Sequence, residues 1–130
     1  MPGNASRIDL RIEIGAVVRL GPGKVRLLEL IAQLGSISAA GRAMGMSYRR
    51  AWLLIDTLNR AFRHPVVATQ PGGRADRRAA LTPFGHEVIL RYRRIEAAAR
   101  EAMEDDLLAL EADLREDPAL PMMHDPRPHA

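Results

Sequence analysis

The chain of 130 residues contains no cysteine, one tryptophan, two tyrosines, two phenylalanines and a single lysine, Lys24, among its 19 basic residues. Each scarcity excludes something. Without thiols there is no disulfide framework, thiolate metal cluster or cysteine nucleophile, so apolar burial alone must hold the fold and a reducing compartment is expected. No apolar run approaches the roughly 18 residues of a membrane span. Met1 to Leu10 lacks the cationic stretch and apolar core of a signal peptide, so a cytoplasmic protein with no membrane partner is expected. The length suits one domain of roughly 100 to 150 residues with a short tail, and excludes a large multidomain enzyme.

What is present is unevenly distributed. The formal charge of +3 conceals a division: Met1–Arg94 carries 16 Lys or Arg against 6 Asp or Glu, a net +10, while Ile95–Ala130 carries 3 against 10, a net −7. Arginine suits planar, bidentate contact with phosphates or guanine edges. A GC-rich coding sequence would raise Arg and Ala together, so position has to decide between the two readings.

Along the chain, Ile8, Leu10, Ile12 and Ile14 alternate with charged residues at the period of a half-buried strand, and Val17, Val18 and Leu20 extend it around a bend. Gly21-Pro22-Gly23 breaks the strand and starts a helix over about Pro22–Leu34, with Leu27, Leu28, Leu30, Ile31 and Leu34 on one arc. Ser38 is placed to cap a short helix through Met44, Gly45 to make a turn, and Ser47 to cap a second helix that His64-Pro65 closes. Two helices joined by a tight glycine turn form a helix-turn-helix candidate. On the second of them Ala51, Ile55, Leu58 and Phe62 share one side, with Arg49, Arg50, Leu53, Thr57 and Arg60 broadly opposite. Residues 66–69 and 79–82 read as strands around a basic loop at 71–78. Thr82-Pro83 then starts a long helix. Its stripe of Val88, Tyr92, Ile95, Ala99, Met103, Leu107, Leu110 and Leu114, about 45 Å at 1.5 Å per residue, exceeds what a small domain covers and asks for a partner helix. The expected organisation is one domain over 1–117, with a dimerisation helix at about 83–117, and a disordered Pro-rich tail over 118–130.

Catalysis is poorly supplied. His86-Glu87 begins like a zinc-protease H-E-x-x-H helix, but Leu90 stands where the second imidazole is required. Gly21-Pro22-Gly23-Lys24 lacks both the upstream glycine and the following hydroxyl of a phosphate loop. Met122, Met123, His124 and His129 have no ligand spacing, and Asn4-Ala5-Ser6 is a glycosylation acceptor only in a secreted chain. No enzyme activity, metal or cofactor is expected.

Nucleic-acid binding, by contrast, draws several features together. A helix starting at Ser47 and Tyr48 aims backbone N–H groups at a phosphate, and the first turns of a helix in the major groove reach base edges, which singles out Arg49, Arg50 and Leu53 for readout. Thr57 and Arg60 lie farther along. Arg42 and Arg63, with Arg74, Arg77 and Arg78 of the loop, suit the backbone or the adjacent minor groove. Any one of these cations alone would be an ordinary solvated side chain. Their coincidence on a helix pair and the following hairpin points to double-stranded DNA.

The order strand, helix, helix, turn, helix, strand, loop, strand is that of a winged helix-turn-helix, mainly α with a small β wing. Gly35-Ser36-Ile37-Ser38-Ala39-Ala40, Met44-Gly45-Met46-Ser47-Tyr48, Ala51-Trp52, Gly72-Gly73 and Leu81-Thr82-Pro83-Phe84-Gly85 resemble the N-terminal DNA-binding domain of ModE-type molybdate-responsive transcriptional regulators. They resemble LysR-type domains more distantly. The resemblance covers about Val17 to Met103 and implies a homodimeric regulator, with the second helix of the motif reading a symmetric operator and the long last helix pairing two protomers. It also implies that Ala51 and Trp52 pack the recognition helix and do not touch bases. The β-barrel modules that hold molybdate in that family have no counterpart in these 130 residues, so a regulator without its own molybdate site is expected. The acidic stretch Glu101–Asp117 would then serve dimer packing, repulsion of DNA, or docking to a separate sensor protein. The rival reading is an interaction module that heterodimerises with or sequesters a full-length ModE-like regulator.

Overall fold

The computed structural model describes residues 6–70 and 78–116. It opens with a hairpin, β1 (Ile12–Ile14) and β2 (Val18–Leu20), paired antiparallel with Ile12 opposite Leu20 and Ile14 opposite Val18. Gly15 and Ala16 both adopt positive φ, 57° and 58°, and the Val17 N–H donates to the Ile14 carbonyl at 3.0 Å. Two left-handed residues in succession are what a tight hairpin with the natural strand twist requires. The strand expected over Ile8–Ile14 is therefore only three residues long, and the following segment folds back against it. The segment before that strand is held by other contacts: the Tyr92 hydroxyl donates to the Leu10 carbonyl at 2.6 Å, and the Ser6 hydroxyl donates to the Glu111 carboxylate.

The helix α1 (Pro22–Leu34) supplies more of the core than any other element, with Val25, Leu27, Leu28 and Ile31 fully buried. Each such Leu or Ile contributes roughly 1.5–3 kcal/mol relative to exposure. Pro22 occupies the first helical position, where a missing N–H costs nothing. Next come α2 (Ile37–Ala43) and α3 (Tyr48–Ala61). Ser36, not Ser38, caps α2, its hydroxyl accepting from the Ala39 N–H at 3.0 Å. The Ser38 hydroxyl lies inside the helix and accepts from Arg42 Nη1 at 2.8 Å. Two serines two residues apart offer competing caps, and the one with extended backbone, φ −156° and ψ 132°, takes the role.

The second hairpin pairs β3 (Val67–Thr69) with β4 (Ala79–Leu81) antiparallel, Val67 opposite Leu81. Its root is tied to α1, because the Ala79 N–H donates to the Gly35 carbonyl at 2.9 Å. The fold is thus mainly helical with a wing-like hairpin, a winged helix. Thr82 caps α4 (Pro83–Ala102), accepting from the Gly85 N–H at 2.9 Å.

The single helix expected over 83–117 is interrupted at Met103 (φ −99°, ψ 4°) and resumes as α5 (Glu104–Ala112). Glu104, Asp105 and Asp106 fall in the first turn of α5. Carboxylates are favoured at the positive end of a helix dipole and disfavoured at the negative end, so restarting the helix just before this acidic run relieves a conflict that one continuous helix would keep. The Pro-rich stretch 118–130 lies outside the described residues.

Candidate nucleic-acid interface

The presentation of α3 follows from its packing. Ala51, Ile55 and Leu58 are buried, and Phe62, partly buried just past the helix, stacks edge-on against Phe84 with ring centres 5.2 Å apart. That fixes which side faces out. Arg49, Arg50, Leu53, Thr57 and Arg60 are all exposed, as the spacing predicts. Leu53 is 46% exposed, unusual for a leucine on a helix with a full core face. The sharp entry into α3 rests on Gly45, whose φ of 72° is unfavourable for side chains bearing a Cβ. It rests also on Gly41, where a Cβ would stand 3.1 Å from that of Ala51 and 3.4 Å from the Met46 carbonyl oxygen.

Ser47 caps α3, its hydroxyl accepting from the Arg50 N–H at 3.1 Å. Beside this terminus lies a shallow depression of about 300 Å³ bordered by Arg49, Arg50, Leu53 and Thr57. The cations differ in how far they are already engaged. Arg60 pairs with Asp56 at 3.0 Å, one helical turn away, while the guanidinium groups of Arg49 and Arg50 have no ion-pair partner among the described residues. The Thr57 hydroxyl donates to the Leu53 carbonyl at 2.9 Å, leaving its oxygen able to accept. Helix α3 therefore presents two uncommitted guanidinium groups beside an exposed aliphatic side chain, a set able to donate to phosphate or base acceptors and to meet an apolar methyl.

The other expected contacts are distributed around this face. Arg42 is exposed on α2, Arg63 just past α3, and Arg78 at the foot of β4; Arg74 and Arg77 fall in 71–77, outside the described residues. Tyr48 (49% exposed) and Trp52 (43%) stand one turn apart on one flank of α3. Trp52, expected with Ala51 as packing, is thus largely at the surface, and only Ala51 is core. The two lie 100° apart around the helix, and only Ala51 falls on the arc that meets the domain.

The expected pairing stripe divides in two. Val88 (6% exposed) and Tyr92 (1%) belong to the core of the protomer itself and are not available to a second copy. The physical reason is that the first half of α4 lies on the domain, where the stripe and the core face coincide. Beyond Tyr92 the apolar support ends: Ile95 is 48% exposed, Ala99, Met103 and Leu107 are partly covered, and Leu110 and Leu114 are 67% and 71% exposed.

Two structural devices were not read from the sequence. Asn59 ties α3 to the wing: its Oδ1 accepts from the Val66 and Val67 N–H groups at 2.7 and 3.3 Å, and its Nδ2 donates to the Val67 carbonyl at 3.1 Å. An asparagine inside a helix, where better helix formers are available, was the available signal. Arg93 ties α4 to α1, with Nη2 and Nε donating to the two Glu29 oxygens at 2.9 and 3.2 Å and Nη1 to Glu96 at 2.8 Å. Hydrogen bonding from Arg93 holds the Glu29 carboxyl below the usual carboxylate range, against the opposing effect of burial. The Tyr92 hydroxyl is pushed up chiefly by burial and then by the Glu96 charge.

Among the described residues no three His, Asp or Glu are grouped to hold a metal ion, and no helix is long and apolar enough to cross a membrane.

Comparison with known proteins places this geometry. Residues 23–86 match the family described as "Bacterial regulatory helix-turn-helix protein, lysR family", a span that runs from the start of α1 into α4. The chain is 41% identical over 101 residues to the molybdenum-pterin-binding protein MopB of Rhodobacter capsulatus, covering 78% of this chain and 36% of that protein. It is 33% identical over 99 residues to the molybdenum transport protein ModE of Azotobacter vinelandii (76% and 36%). Against the DNA-binding transcriptional dual regulator ModE of Escherichia coli K12 it is 34% identical over 104 residues (78% and 40%). The chain thus spans about two fifths or less of the length of these relatives. Over residues 23–86 it carries a LysR-type helix-turn-helix domain, and ModE and MopB proteins are its homologues over about three quarters of its length.

Proposed function

We propose that the protein binds a two-fold symmetric operator as a homodimer, reading bases with Arg49, Arg50 and Leu53 at the start of α3. Ser47, Tyr48, Thr57 and Arg60 complete the recognition surface, and Arg42, Arg63, Arg74, Arg77 and Arg78 contact backbone or minor groove. Ile95, Ala99, Met103, Leu107, Leu110 and Leu114 supply the pairing surface. The observation that carries the reading is the pair of guanidinium groups, with no ion-pair partner among the described residues, beside exposed Leu53 on a helix whose opposite side is buried in the core. The names of the relatives support a role in molybdenum-related regulation, and the exposed α5 offers a docking surface for a separate sensor.

Selection of bound duplexes from a random pool should recover an inverted repeat with half-site centres about 34–36 Å apart. In binding titrations, Arg49→Ala with Arg50→Ala should lower the preference for the selected duplex over random DNA. Two bidentate contacts at their lower bound total about 2 kcal/mol, or about 30-fold. Unchanged preference in the double variant would remove α3 as the reading helix. Gel filtration of the protein alone should give a dimer; a monomer that pairs only with a full-length ModE-like protein would favour the interaction-module reading instead.

A further inference from the structure

A second group of cations adjoins the surface assigned to base reading. Where the β1–β2 hairpin meets the start of α1, a depression of about 470 Å³ opens, bordered by Arg11, Arg19, Lys24 and Arg50, with no carboxylate in its described lining. Arg19 approaches Glu13 only at 3.9 Å, with both side chains largely exposed, 74% and 66%. A surface pair of that kind neutralises little. The Lys24 ammonium donates to the Arg19 carbonyl at 2.7 Å, which holds a second cation beside the first. Partial burial, and then the Arg19 charge, lower the Lys24 pKa from the ordinary lysine value. Cations are therefore gathered here with only the exposed Glu13 close to them among the described residues of the hairpin and groove.

The floor of the depression points the same way. Gly21 caps α1 without a side-chain acceptor, Pro22 brings no N–H, and the first turn contains no acidic residue. The first-turn N–H groups thus lack the side-chain partners that usually satisfy them. Nothing lies within 4 Å of where a Cβ on Gly23 would be, so a ligand can approach the backbone there. Arg50 borders both this depression and the one along α3, which makes the two contiguous.

We propose that this groove holds the sugar-phosphate backbone of the duplex whose bases α3 reads, extending the DNA footprint onto the β1–β2 hairpin and the start of α1. The inference rests on the DNA-binding reading above. Arg11, Arg19 and Lys24 act here on phosphate, so they supply affinity and orientation without sequence choice. A free phosphate ion offers the same chemistry. The continuity with α3 through Arg50 favours the polymer.

The test compares two variants of equal charge. Arg11→Gln/Arg19→Gln removes two cations from the groove, and Arg94→Gln/Arg100→Gln removes two exposed cations from α4. Affinity for a duplex selected by the protein and for a random duplex is measured by fluorescence anisotropy across salt, with circular dichroism confirming the fold. The groove variant should lose affinity for both duplexes by the same factor. Its slope of log K against log salt should fall by about 1.8 for two phosphates, on the order of 60-fold at 0.1 M salt. The α4 variant should stay near wild type. A Lys24→Gln variant should lower the slope by a further 0.9 or so.

Equal losses in the two double variants would mean that only net charge matters, and would overturn the groove. So would wild-type slope in the groove variant while Arg49→Ala/Arg50→Ala still abolishes sequence preference, an outcome that leaves the recognition helix standing. Saturable binding of inorganic phosphate, lost in the groove variant while DNA affinity is kept, would assign the site to a small anion and refute the proposal. Failure of the wild type to bind any duplex would remove the parent reading and the groove together.

Discussion

Asn59 joins the recognition helix to the wing, and its removal tests whether the two form one mechanical unit. The side chain makes three hydrogen bonds to the backbone of Val66 and Val67, the shortest at 2.7 Å. Val66 is fully buried and Val67 is 3% exposed, so water cannot readily replace what is lost. Each net bond is worth about 0.5–1.5 kcal/mol, and a buried donor left without a partner costs about 1–3 kcal/mol. The bond at 3.3 Å lies at the weak end and the asparagine site is itself half-buried, which together place Asn59→Ala at about 2–3 kcal/mol of lost stability. For a domain of this size that lowers Tm by roughly 10–20 °C. Asn59→Asp keeps the acceptor for both N–H groups but loses the donor and sets a carboxylate against the Val67 carbonyl, so it should fall between wild type and alanine. Urea unfolding at one fixed protein concentration gives the equilibrium values, and hydrogen exchange at the Val66 and Val67 amides reports the wing root directly. A stability within 0.5 kcal/mol of wild type with unchanged exchange at Val66 would refute the reasoning.

At Gly85, an added Cβ would stand 2.1 Å from the Val66 carbonyl oxygen, which also accepts the Thr82 N–H at 3.0 Å; Gly85→Ala should cost more than about 2 kcal/mol by forcing two backbone segments apart, measured by thermal unfolding. Ala16 sits at φ 58°, a conformation costing an L-residue about 1–2 kcal/mol, so Ala16→Gly should stabilise by up to about 1 kcal/mol after the entropy of glycine is offset; a lowered Tm would contradict the strain. Because Arg93 depresses the Glu29 carboxyl, that contact stabilises the fold above the ordinary carboxylate range and is lost as pH falls through the lowered folded value. The stability gap between wild type and Glu29→Gln should therefore be open at pH 7 and narrow as the pH falls below the ordinary carboxylate range, and a pH-independent gap in urea titrations would remove Glu29 as its source.

The parts of this fold legible in the sequence are those fixed by local chemistry. Pro22 at a helix start, Ser47 and Thr82 as caps, and the 51-55-58 arc all depend on neighbours within a turn or two. The bounds of α1 follow from these rules, and so does the outward face of α3. What was not legible depends on partners distant in the chain. The alternation over Ile8–Ile14 cannot reveal that Leu10 meets Tyr92, 82 residues away, in place of a strand. Nor can the stripe on α4 show where the domain beneath it ends, so Val88 and Tyr92 looked equivalent to Leu110. Ser36 and Ser38 are both competent caps, and backbone angles decide between them. The cations of the groove were counted in the +10 half, but Arg11, Arg19 and Lys24 converge only because the hairpin turns back at Gly15-Ala16.

The helix α1 links all the parts that DNA binding requires, through three contacts of different stiffness. It packs against α2 of the helix-turn-helix by apolar burial, which tolerates small adjustments of volume. It accepts the Ala79 N–H at Gly35, one bond that sets where the wing begins. Through Glu29 it takes the fork of Arg93, a bidentate pair that fixes direction as well as distance. In the proposed dimer the separation of the two α3 helices depends on the angle at which α4 leaves the domain, and Arg93 is engaged close to where the core beneath α4 runs out. A lysine there would keep the charge and lose the fork, so orientation, more than stability, is what this residue secures. The division of charge then coincides with a division of support. The described residues of the net +10 half are packed around α1, and most described acids of the other half lie beyond it, where the end of α4 and α5 have no described core to lie on. In the proposed complex, attraction at one end and repulsion at the other would align the domain on a duplex before any base is read, over the Debye distance of about 8 Å at physiological salt.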